Sequence, residues 1–105
     1  MFNDAEKLPS KQEKVTIVVQ IGNSDDKLTQ TEWSRFCNKL RTEAGLSGTI
    51  HFAGSPSSCA SHQNYCVVVE INKGSVDFFK TIVSNLTFVF NQDSIAWLEG
   101  KVEFI

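Results

Sequence analysis

The stretch Lys14–Glu32, KVTIVVQIGNSDDKLTQTE, decides how the chain is read. Val15, Ile17, Val19 and Ile21 alternate with Thr16, Val18 and Gln20. Period-2 alternation rich in β-branched residues is the pattern of a strand with one face buried. Gly22–Leu28 breaks that pattern with Gly, Asn, Ser and Asp, the residues that make turns. Thr29 and Glu32 then stand in T-x-x-E spacing, a capping box that satisfies free amides at a helix start. The stretch is therefore a strand, a polar loop and the beginning of a helix.

Downstream, Trp33, Phe36, Cys37, Leu40 and Ala44 recur at i, i+3, i+4, i+7 and i+11, one apolar helical stripe. Gly45 is expected to cap this helix at its C-terminus. Thr49–Ala53 reads as a short strand with Ile50 and Phe52 on one face and His51 on the other. Gly54–Asn64, with Pro56 and several serines, reads as a loop. Tyr65–Ile71 is nearly all apolar and is expected to be a central strand. Asn72–Gly74 is a turn, after which Ser75 caps a second helix and Asp77 favours its positive end. Val76, Phe79, Val83 and Leu86 are its inner stripe, and it ends between Leu86 and Phe90. Ile95–Leu98 is a further strand. Glu99-Gly100 resembles a tight turn, leading to a short strand over Val102–Ile105 or a continuation past a bulge. Upstream, Met1–Glu13 is polar and aperiodic, carries Pro9, and is read as a flexible tail before one domain over 14–105.

The order β-α-β-β-α-β predicts an α+β, ferredoxin-like two-layer sandwich. Its antiparallel sheet has strand order 4-1-3-2, both helices lie on one face, and a short C-terminal hairpin extends it.

At 105 residues, with 41% hydrophobic and 21% charged residues, the chain has an ordinary globular composition. A formal net charge of −2 argues against general nucleic-acid or membrane-surface binding, which need a basic excess. No signal-like or membrane-spanning run is present, and three cysteines, an odd number, suit a reducing compartment. A cytoplasmic location is the expectation.

In the predicted topology the β1–α1 loop, the β2–β3 loop and the entry to β4 meet at one edge. All are polar there. Asn23, Ser24, Asp25, Asp26 and Lys27 come from the first, Gln63 and Asn64 from the second, and Gln92 and Asp93 from the third. With His51 added, these are the candidate ligand-binding residues. The amides opening α1, together with Lys27, are expected to take negative charge. The uncovered sheet face carries Val18 and Thr16 with either Cys66/Val68 or Tyr65/Val67/Val69. Such a face suggests an interface, most simply a symmetric dimer.

Motifs with chemistry are sparse. Cys59, His62 and Cys66 read C-x2-H-x3-C, with His51 a strand away, and thiolate and imidazole are zinc ligands. The spacing lacks the paired C-x2-C knuckle, so no metal is assigned. Cys59 beside a histidine lacks any elbow or oxyanion pattern, so no catalytic residue is assigned. No dinucleotide or phosphate-loop pattern implies a cofactor. The aromatic, basic strand motif of single-strand RNA binders is absent from YCVVVEI and KVTIVVQI.

At "IGNSDDKLTQTEW" and "FNQDSIAWLEG" the chain resembles small, largely uncharacterised ferredoxin-like proteins of bacterial and phage-type genomes. The matching motifs are Glu32-Trp33-Ser34-Arg35-Phe36 and Phe90-Asn91-Gln92-Asp93-Ser94. The resemblance spans roughly Val15–Ile105 and implies the fold, with no activity attached. The functional expectation is a non-catalytic module, a homodimer, holding a small polar or anionic ligand, such as a nucleotide, at the three-loop edge. The alternatives are a protein-interaction or inhibitor module using the open sheet face, and a small acid–base enzyme using His51 or an Asp.

Overall fold

The computed structural model describes residues 13–23, 27–55 and 63–105. The element order is β1 (Lys14–Gly22), α1 (Gln30–Ser47), β2 (Gly48–Gly54), β3 (Asn64–Asn72), α2 (Val76–Val89) and β4 (Ala96–Gly100), with a 3-10 turn at Lys73–Ser75. The strands form one antiparallel sheet in the order β2-β3-β1-β4, the expected 4-1-3-2 order read from the other edge. This α+β arrangement is compatible with a ferredoxin-like fold.

The alternation in β1 does what its period demands. Ile17, Val19 and Ile21 are buried, and in β3 Val67, Val69 and Ile71 are buried beside them. Trp33, Phe36, Leu40 and Ala44 of α1, with Val76, Phe79, Val83 and Leu86 of α2, complete a single core on that same sheet face. Phe36 stacks on Phe90 with centroids 4.6 Å apart, which ties the end of α2 to the middle of α1. The parity of β3 is thereby settled: Cys66 and Val68 belong to the other face, with Val18. Thr16, also assigned to that face, is buried at 9% exposure.

Several expectations are corrected. Gly45 does not end α1. The helix runs to Ser47 and passes directly into β2, with Gly48 as its cap at φ −176°. A Cβ on Gly48 would overlap the Glu70 carbonyl oxygen and lie 2.6 Å from Ile71 Cγ2. Glycine is needed there because two backbones approach, whereas Gly45 would meet only Ile50 Cδ1 at 3.7 Å.

In β2, Ile50 pairs with Val69 and Phe52 with Val68, so His51 is an extra residue in a bulge. The bulge breaks the alternation. Ile50 packs on the core, while Phe52, 54% exposed, and His51 stand on the opposite face. Ser75 makes no side-chain capping bond, because the 3-10 turn feeds α2 instead. The C-terminal hairpin is absent. Gly100 pairs with Thr16 as the last residue of β4, no glycine has the positive φ a tight hairpin turn needs, and residues 101–105 have no regular structure. Residues 1–12, most of the expected tail, lie outside the described residues. Glu13 is held by Lys73, whose amide donates to its carbonyl at 3.0 Å and whose Nζ lies 3.6 Å from its carboxylate.

Candidate functional site

The three polar segments do meet at one edge of the sheet. The Asn23 amide donates to the Gln63 carbonyl at 3.0 Å, and Asn23 Nδ2 donates to Gln63 Oε1 at 2.9 Å. These bonds join the β1–α1 and β2–β3 loops. Lys27 Nζ lies 3.1 Å from Asp93 Oδ2, which joins the β1–α1 loop to the entry of β4.

The same bonds show which predicted residues are already committed. Asn23 is 1% exposed. Its Oδ1 accepts from the Leu28 amide and its Nδ2 also donates to the Leu28 carbonyl, each at 3.0 Å. It closes its own loop and draws Leu28 into the core. Gln63 is bound both to Asn23 and to Gln30, with which it exchanges two amide hydrogen bonds. Asn64 pairs with Gly22 in the ladder. Gln92 donates through Nε2 to the Phe90 carbonyl at 3.0 Å, holding the turn in which Asn91 has φ 52°. Ser24, Asp25 and Asp26 lie outside the described residues. Asp93 is exposed and Lys27 a third exposed, and they neutralise each other at the rim.

The amides of α1 are less available than expected. Glu32 N donates to Thr29 Oγ1 at 3.2 Å and Thr29 N donates to Glu32 Oε1 at 2.8 Å. The capping box thus uses two of the amides and sets the Glu32 carboxylate against the helix's positive end. His51 is not at this edge. It bonds Glu70 at 2.9 Å on the open sheet face. Glu70 is four residues along β3 from Cys66, about 13 Å at strand rise, so His51 and Cys66 do not converge. Among the described residues there is no group of three metal-ligating side chains; Cys59 and His62 lie outside them.

What the geometry adds is a cleft between the helices that opens at this edge. Its outer part, about 420 Å³, is lined by Lys27, Leu28, Glu32, Arg35, Val89, Phe90 and Asn91. It continues through Arg35, Val89 and Phe90 into a part of about 510 Å³ whose further walls are Asn38, Lys39, Thr42 and Leu86. Leu28, Leu86, Val89 and Phe90 supply its apolar lining, and Lys27, Arg35 and Lys39 its cationic lining. Lys39 is paired with Glu43 at 3.4 Å. Arg35 is exposed and makes no ion pair among the described residues.

Arg35, Asn38, Lys39 and Thr42 were not among the predicted site residues. Their spacing, i, i+3, i+4 and i+7, is a second stripe on α1 beside the apolar one, and it is legible in the sequence. The exposed Phe88 and Val89 after an otherwise regular apolar stripe are the matching signal on α2.

The described thiols suit packing rather than nucleophilic chemistry. Burial pushes Cys37 up to about 11, against a smaller lowering by a backbone hydrogen bond, and burial also raises Cys66. Tyr65 is raised by burial, with Arg41 opposing.

No protein-family model and no curated protein matches the chain. One solved structure is similar: LarC2, the C-terminal domain of a cyclometallase involved in the synthesis of the NPN cofactor of lactate racemase, in its apo form. The likeness covers 84% of this chain at 12% identity with a TM-score of 0.42. The chain spans about half, 55%, of the length of that structure.

Proposed function

We propose that the protein is a non-catalytic binding module that takes a small anionic ligand with an apolar body. The ligand lies in the α1–α2 cleft, with its charge toward the three-loop edge. The observation that carries this reading is the position of Arg35, which lines both parts of the cleft beside the apolar Leu28, Leu86, Val89 and Phe90. A guanidinium over apolar side chains suits a carboxylate or phosphate bidentately while the rest of the ligand leaves water. Nucleotides fit this class, with the base against Phe90 and Val89.

Thermal shift with adenosine and guanosine mono- and triphosphates, octanoate and indole-3-acetate tests it. A ligand at 100 times its Kd stabilises by about 2.7 kcal/mol. The expected result is a shift with at least one probe that Arg35→Glu abolishes. No shift with any probe, or a shift indifferent to Arg35→Glu, overturns the reading.

A second reading rests on the open sheet face. There Phe52, Val68, Val18 and Leu98 stand in register across all four strands, an apolar row suited to a protein partner. Under it Val18→Asp abolishes partner capture while Arg35→Glu leaves it unchanged. The acid–base alternative finds no support in this cleft, since His51 lines neither part of it.

A further inference from the structure

We propose that the outer edge of β4, extended through residues 101–104, pairs antiparallel with the same segment of a second copy, joining two sheets into one. β4 is an edge strand, and among the described residues nothing pairs with its outer side. Edges in natural sheets are blunted by Pro, bulges, short length or charged side chains, so at this edge Glu99 and Lys101 must be met by opposite charges. Ala96–Phe104, AWLEGKVEF, has no proline, and its pairing with β1 shows no register shift.

The residues beyond Gly100 continue the strand pattern without being paired. Leu98 is 63% exposed, Val102 44% and Phe104 89%. The even-numbered positions continue the open face, because Leu98 stands opposite Val18. The odd positions continue the helix side, because Trp97 stands opposite Val19 and packs on Phe79. Glu99, Lys101 and Glu103 therefore share one face, and Leu98, Val102 and Phe104 the other.

Charge complementarity points to a second copy as the occupant and disfavours the registers that oppose like charges. Antiparallel partners share a face, so a two-fold axis normal to the sheet passes through a residue position. Centred on Gly100, it sets Glu99 opposite Lys101 of the second copy, and by symmetry Lys101 opposite Glu99. It also sets Leu98 opposite Val102 twice and Ala96 opposite Phe104 twice. Cross-strand pairs of both kinds stabilise, and like charges directly opposite destabilise. Centred on Glu99, the axis opposes Glu99 to itself. Centred on Lys101, it opposes Lys101 to itself and Glu99 to Glu103. Of these three, only the Gly100 register opposes no like charges. It leaves Glu103 opposite Trp97, and it extends the apolar row Phe52–Val68–Val18–Leu98 into Val102 of the second copy. The pairing is self-complementary, which is the requirement for a closed dimer.

Sedimentation equilibrium over a concentration series tests this, with circular dichroism to establish that each variant is folded. The wild-type chain is expected to associate to twice its monomer mass. Glu99→Lys and Lys101→Glu, both at exposed positions, are each expected to remain monomeric, since each sets like charges opposite one another twice. An equimolar mixture of the two variants is expected to recover the dimer, because every opposed pair is then Lys with Glu. A monomeric wild type, a dimer in either single variant, or a mixture that stays monomeric overturns the proposal. Should a variant fail to fold, the double variant Glu99→Lys/Lys101→Glu retains every complementary pair. It must dimerise as the wild type does, and a monomer there overturns the proposal equally.

Discussion

Two glycines three residues apart are expected to respond to the same substitution with opposite signs. In Gly48→Ala the new Cβ would overlap the Glu70 carbonyl oxygen, lie 2.6 Å from Ile71 Cγ2 and 3.0 Å from the Glu70 carbonyl carbon. Two of these are backbone atoms of a central strand and cannot swing aside, so the start of β2 must lift from β3. Overpacking of this kind costs about 1–3 kcal/mol. The loss of a ladder hydrogen bond adds about 1 kcal/mol. The total, about 2–4 kcal/mol, is a large share of the 5–15 kcal/mol typical of a domain. Gly45→Ala meets only Ile50 Cδ1 at 3.7 Å, and Gly45 lies inside α1 without a positive φ. Ala there is expected to stabilise by about 0.5–1 kcal/mol through helix propensity. Urea unfolding measures both. With a slope of about 2 kcal/mol/M, Gly48→Ala lowers the midpoint by about 1–2 M and Gly45→Ala raises it slightly. Amide exchange should accelerate at Thr49, Ile50, Glu70 and Ile71 in the first variant only. A Gly48→Ala midpoint equal to wild type, or a destabilised Gly45→Ala, refutes the placement of the helix end and the close approach of α1's exit to β3.

Asn23→Ala is expected to cost about 1–3 kcal/mol in urea unfolding, because it leaves the buried amide and carbonyl of Leu28 without their partner. Asn23→Asp should cost at least as much at neutral pH, since it sets a carboxylate against two acceptor oxygens, and less in acid, where the protonated group can donate. Thr29→Ala removes the hydroxyl that accepts from Glu32 N and should cost about 1 kcal/mol by the same measurement. The raised thiol of Cys37 favours the neutral form in the fold. Its contribution to stability is therefore complete below the ordinary value of 9.0 and is lost as pH rises through about 11, and Cys37→Ser should flatten the stability profile over that window. Arg35→Glu, which removes the proposed anion contact, should leave unfolding within about 0.5 kcal/mol of wild type, as expected for an exposed position.

The fold was readable where the signal is local. The alternation of Val15–Ile21, the stripe Trp33–Ala44, the stripe Val76–Leu86 and the Thr29/Glu32 box all appear in the structure in the roles assigned to them. The misreadings fall where a distant chain segment decides. Gly45 looked like a cap because nothing nearby marks Gly48, whose requirement comes from Glu70 and Ile71. Phe52, and not His51, changed faces, because one extra residue against β3 cancels a two-residue period and leaves the two side chains on the same side. Glu99-Gly100 looked like a turn because its dipeptide suits one, yet β1 still offers Thr16 as a partner at Gly100.

The candidate site divides in the same way. That the Asn23, Gln63 and Asp93 segments share an edge followed from element order alone, because right-handed crossovers leave few topologies. Which of their side chains remain available did not follow. Asn23, Gln63 and Gln92 carry the composition of a binding rim, but their hydrogen bonds are used up in joining and shaping the loops. The cleft beside them is built from Arg35 and Lys39 on one helix and Leu86, Val89 and Phe90 on another. A periodic pattern marks each of those faces, but no pattern within either helix says that the two faces oppose. By itself, then, the sequence determined the elements, their order and the face each one buries, because propensity, capping and burial act within a few residues. Only the tertiary structure decided the β2 bulge, the end of α1 and the cleft, because those depend on atoms brought together from remote parts of the chain.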